Sequence, residues 1–107
     1  MRRFDFSFPP SCLAARAARS IERICKTRGL ELAMKTSLAS YPASVHWHYK
    51  RPRQTGTLEI TLDRSAHRLW ASVQAGRRAP WINAELPPLR RAIESALRKS
   101  PKRAAAK

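Results

Sequence analysis

Two periodicities divide this chain. Between residues 11 and 28 the apolar positions recur at helical spacing: Leu13, Ala14, Ala17, Ile21, Ile24 and Cys25 fall on one arc. Arg16, Arg19, Arg23 and Lys26 fall on the opposite arc. The pattern predicts a helix with a core face and a basic ridge, N-capped by Ser11 and closed by Gly29 at C′. A second helical pattern, Leu89, Ile93, Ala96 and Leu97, predicts a helix over residues 87–99. Pro87 or Pro88 suits its first turn, and Pro101 ends it.

The middle of the chain changes period. Val45-His46-Trp47-His48-Tyr49-Lys50 alternates, as does Thr57-Leu58-Glu59-Ile60-Thr61-Leu62, and residues 67–74 alternate again. Residues 51–56 and 63–66 supply hairpin-sized turns, so the strands are expected to run antiparallel. Residues 30–38 read two ways. Leu30, Met34 and Leu38 suit a helix, whereas Leu30, Leu32 and Met34 followed by Thr36 suit a strand. Gly29 and the β-preferring threonine favour the strand.

The expected fold class is therefore α+β. The element order is α-β-β-β-β-α, or α-β-β-β-α if residues 30–38 do not pair. Both helices carry one apolar face, so both should pack on one face of a three- or four-stranded sheet, leaving the other open to solvent. Residues 1–10 read as an N-terminal arm, 11–100 as a single domain and 101–107 as a disordered basic tail.

Alternation sorts the strand side chains. Val45, Trp47, Tyr49, Leu58, Ile60, Leu62, Leu69, Ala71 and Val73 point to the core. His46, His48, Lys50, Thr57, Glu59, Thr61, Arg68, Trp70, Ser72 and Gln74 point to the other face, which thus gathers imidazoles, cations, a carboxylate and an indole. Trp70 suits a platform for stacking bases, with Arg68 and Lys50 beside it for phosphates. Equally, it suits packing beneath a loop or beneath the N-terminal arm, which carries Phe4, Phe6 and Phe8.

Charge sharpens the picture. The 107 residues include 22 Lys and Arg against 7 Asp and Glu, a formal net charge of +15. Self-repulsion of that size favours an anionic partner. Beyond the helix ridge, cations gather at Arg77-Arg78 and in a tail with Lys102 and Arg103. Nucleic acid is the expected partner, RNA slightly ahead of DNA; an acidic protein is the alternative. No run approaches a membrane span and the start lacks a secretory pattern, so a cytoplasmic location is expected. Cys12 and Cys25 are expected to be free thiols: on one helix they stand too far apart to bond.

No cofactor is signalled. His46 and His48, two residues apart on a strand, need a third ligand to hold a metal, which Glu59 or His67 would supply. The simpler reading makes them solvent-facing imidazoles paired with Glu59 or phosphate, with no metal. A catalytic alternative makes His46 or His48 the general base of a small ribonuclease, with Glu59 beside it.

The stretch from Thr36-Ser37 through His46-Trp47-His48-Tyr49-Lys50-Arg51-Pro52 to Gly56-Thr57-Leu58-Glu59-Ile60 resembles the layout of HicA-type mRNA-interferase toxins. The resemblance covers about a third of the chain. It implies an RNA partner and a fold like a double-stranded-RNA-binding domain, with a strand histidine in a Gly-Ser-His context. Here Ser44-Val45-His46 stands in that place. The pattern HWHYKRP, GTLE, RLW and PW is also similar to a family of short bacterial proteins, a resemblance that implies no activity.

Overall fold

In the computed structural model, which describes residues 2–73 and 79–99, five strands and two helices follow the order β1 (Arg2–Asp5), α1 (Ala14–Thr27), β2 (Glu31–Leu38), β3 (Tyr41–Lys50), β4 (Leu58–Asp63), β5 (Arg68–Val73) and α2 (Pro80–Arg98). The strands form one antiparallel sheet ordered β1-β5-β4-β3-β2. The α+β class and the packing of both helices against one sheet face follow the sequence pattern. Of the ambiguous residues 30–38, Glu31–Leu38 form a strand.

The sheet has one strand more than the pattern of residues 30–74 provides. The N-terminal segment is no free arm: Arg2 to Asp5 pair along β5, with Arg3 opposite Ser72 and Asp5 opposite Trp70. The N–H of Phe6 continues the ladder to the Leu69 carbonyl at 2.9 Å. Alternation explains the pairing. Phe4 and Phe6 turn toward the helices and join the core, while Arg3 and Asp5 turn to the other face. Phe8 then stacks on His67 at 3.7 Å between ring centroids, and His67 Nε2 lies 2.8 Å from the Pro9 carbonyl oxygen.

Helix α1 begins at Ala14, and its N-cap is Leu13, without a side-chain cap, in place of Ser11. Its end follows expectation. Gly29, at φ +82°, bonds the Lys26 carbonyl, and the Leu30 N–H bonds the Cys25 carbonyl. This six-to-one and five-to-two pair is the Schellman arrangement, which needs a left-handed residue at C′. Cys12 precedes the helix, and both buried cysteines are free.

Helix α2 starts at Pro80, seven residues earlier than the prolines at 87 and 88 suggest. Pro80 occupies its first turn, while Pro87 and Pro88 lie within it. The apolar stripe explains the extension: Ile82, Leu86, Leu89, Ile93 and Leu97 are all buried at spacings of three and four. The penalty of about 3 kcal/mol for each of the two interior prolines is offset by burial of Trp81, Ile82 and Leu86 in the added turns, each worth about 1.5–3 kcal/mol.

The core lies between the helices and one sheet face, around Trp47, Tyr49, Leu58, Ile60, Leu62, Leu69 and Ala71. Trp81 anchors α2, donating from Nε1 to the Thr55 carbonyl at 2.8 Å. Glu85 in α2 accepts from both Arg28 and Arg51, tying the end of α1 and the end of β3 to the same carboxylate. Among the described residues no helix is long and apolar enough to cross a membrane.

Candidate functional site

The second face of the sheet departs most from expectation. Among the described residues no helix covers it, yet its centre is not open to solvent. Eight polar or charged side chains are buried among the described residues, and six lie on this face: Ser44, His46, Glu59, Thr61, Asp63 and Ser72. Trp70 joins them at 7% exposure.

Strand register brings these residues together. Across the five strands Asp5, Trp70, Thr61, His46 and Thr36 form one row, and Arg3, Ser72, Glu59, His48 and Met34 form the next. Directly opposed side chains on one face of an antiparallel pair have Cβ atoms about 4.5–5.5 Å apart. His46 is thereby placed against Thr61, and His48 against Glu59. The strand spacing of His46 and His48, two residues apart, turns both rings to the same face.

Three side-chain atoms converge where the rows meet. His46 Nε2 lies 3.0 Å from His48 Nε2 and 3.3 Å from Glu59 Oε1. His48 Nε2 lies 4.0 Å from the same oxygen. On its other side His46 Nδ1 lies 2.7 Å from Thr61 Oγ1. Burial holds the His46 imidazole below its ordinary pKa; the Glu59 carboxylate pulls it back up in part, and His48 adds to the lowering. The expectation of two solvent-facing imidazoles is thus corrected for His46, which is 5% exposed, while His48 is half-buried.

A pocket of about 280 Å³ opens onto this cluster, with His46, Glu59, Thr61 and Ser72 in its lining. Arg3, Tyr41 and Trp70 line it as well. The Arg3 guanidinium carbon sits 4.0 Å from the centroid of Trp70, and the Tyr41 ring meets that indole edge-on at 5.5 Å. Arg3 Nε is in turn held by Asp5 Oδ1 at 3.1 Å. Trp70 is therefore covered by the N-terminal segment, through an arginine and not through one of its phenylalanines. As placed, the indole is no free stacking platform.

The cations distribute over both sides of the molecule. Arg19, Arg23 and Lys26 are exposed on α1, on the side away from the sheet. Arg16 is half-buried, with Nη1 3.6 Å from Cys12 Sγ. Lys50 and Arg68 are exposed on the opposite, histidine-bearing face. The α1 ridge and the sheet-face cations consequently point in opposite directions and form two surfaces, not one. Arg77, Arg78, Lys102 and Arg103 lie outside the described residues.

Sequence pattern places His46, His48 and Glu59 together correctly. It does not find Arg3 or Tyr41, and Thr61 enters there only as an outward-facing residue. The signal for Thr61 is its parity with Glu59. The signal for Arg3 is the alternation Arg3-Phe4-Asp5-Phe6, legible only once the segment is taken as a strand. Compared with protein-family models, with curated proteins and with solved structures, the chain matches none.

Proposed function

We propose that this protein binds nucleic acid without acting on it, through the basic side of α1. One observation carries the reading. Arg19, Arg23 and Lys26 stand exposed at positions i, i+4 and i+7, and among the described residues no carboxylate lies within salt-bridge distance of them. Over that span the helix rises about 10 Å, a row long enough to meet successive phosphates. Four of the seven acids pair with other cations: Glu85 with Arg28 and Arg51, Glu22 with Lys35, Glu94 with Arg90, Asp5 with Arg3.

Phosphate contacts of this kind give affinity and steering without reading sequence. RNA is placed ahead of DNA on the HicA-like sequence layout alone.

The test is titration of single-stranded RNA, duplex RNA and duplex DNA at two salt concentrations, by gel shift. Binding that weakens as salt rises is expected. The variant R19A/R23A/K26A should flatten the logarithmic salt dependence by about 0.7–0.9 for each phosphate contact removed. Absence of binding at low salt, or an unchanged slope in the triple variant, overturns the reading. Equal affinity for a polyglutamate chain would turn it toward an acidic protein partner.

A further inference from the structure

Outside the α1 surface the fold builds one cluster for which nucleic-acid binding has no use. His46 Nε2, His48 Nε2 and Glu59 Oε1 mark a triangle with sides of 3.0, 3.3 and 4.0 Å. The point equidistant from its corners lies about 2 Å from each, the length of a bond from zinc to imidazole nitrogen or carboxylate oxygen. Two imidazoles and one carboxylate are also a donor set that divalent first-row transition metals accept while keeping a position open. We infer that His46, His48 and Glu59 form a binding site for a zinc-class divalent cation, with its remaining position turned toward the pocket beside Arg3 and Tyr41.

Three features beyond the triangle support the site. First, Thr61 Oγ1 sits 2.7 Å from His46 Nδ1. With the Nδ1 proton donated to that hydroxyl, the Nε2 lone pair is left free to coordinate. An outer partner of this kind orients most metal-bound histidines and fixes their tautomer. Second, the ligands lie on two adjacent central strands, within the paired stretch of each, and the backbone ladder sets their spacing without any loop. Third, the pocket of about 280 Å³ reaches His46 and Glu59, leaving room for a water or a small anion as the fourth ligand. Arg3 in the pocket lining favours an anion.

The remaining histidine, His67, is taken up by Phe8 and the Pro9 carbonyl, and both cysteines are buried.

The test uses the folded chain, stripped with a chelator, and titrates Zn(II) by calorimetry and Co(II) by visible absorption. The expected result is one ion per chain and a cobalt spectrum of low coordination number. His48→Ala removes a half-exposed ligand and should fold, which circular dichroism checks; it should weaken binding by at least tenfold. Thr61→Val keeps the shape of a buried side chain and should weaken binding about 10–100-fold, as loss of an outer partner does. Failure of the wild type to take up either ion, or an affinity unchanged in both His48→Ala and Thr61→Val, overturns the inference. Neither measurement involves nucleic acid, so its outcome is independent of the α1 reading.

Discussion

The indole nitrogen of Trp47 donates to Glu22 Oε2 at 2.8 Å, joining the centre of β3 to α1. Trp47 is fully buried, so its N–H has no water to turn to. Lys35 from β2 closes on the same oxygen at 2.6 Å. Burial works to raise the Glu22 pKa, but the hydrogen bonds from Lys35 and Trp47 and the lysine charge outweigh it and hold the carboxyl below its usual value. A carboxyl with a lowered folded pKa adds stability above its unfolded pKa and loses it as pH falls through the folded one. Glu22→Gln keeps an acceptor for Trp47. Its urea midpoint should therefore fall less steeply than that of the wild type between pH 6 and pH 3. Glu22→Ala strands the indole N–H and should cost about 1–3 kcal/mol at neutral pH.

Gly56 is a second fixed point. Its φ of +99° lies where side chains are strained, and a Cβ there would stand 2.5 Å from the Cβ of Ala79. Gly56→Ala should destabilise by roughly 1–3 kcal/mol. Adding Ala79→Gly should restore part of the loss, by removing the collision but not the backbone strain. Urea denaturation of the two variants separates the terms.

The cysteines should be silent. Cys12 and Cys25 are 1% and 0% exposed, and burial pushes the Cys25 thiol up to about 12. The thiolate is the reactive form. A disulfide-exchange reagent at pH 8 should therefore find neither thiol in the native protein and both in urea. Fast reaction of the native chain would show that the protein opens readily around one of the two thiols.

Arg3 covers Trp70, so Arg3→Ala should expose the indole. Acrylamide quenching should rise and stability fall by about 0.5–1 kcal/mol, the value of a cation–π contact near the surface. Trp70→Ala should leave nucleic-acid affinity unchanged, because the ring is not available to a base. A rise in affinity for single-stranded RNA in Arg3→Ala would instead reveal a latent platform beneath the arginine.

Much of the fold is legible because period and punctuation agree. Gly29 ends α1 where the helical pattern ends, and the β3–β4 and β4–β5 hairpins follow from strict alternation. Three features are hidden for separate physical reasons. β1 is four residues long, and its partner is far along the chain, so no local turn announces it. Pro87 and Pro88 carry the local signal of a helix start, which the buried stripe from Ile82 to Leu97 overrides. Alternation states which face Trp70 and His46 occupy but not what lies above that face. Arg3 and Tyr41, which help to enclose the pocket there, come from the ends of elements whose positions only the assembled sheet defines.

The strand order also has a consequence in time. β2 to β5 form a meander in which each strand pairs with its neighbour in sequence, whereas β1 pairs only with β5, nearly seventy residues later. Closing so long a loop is entropically late. Of the four strand pairings, β1 with β5 therefore closes the longest loop, and an opening that frees β1 would lift Arg3 from Trp70 and leave β5 as the edge of the sheet.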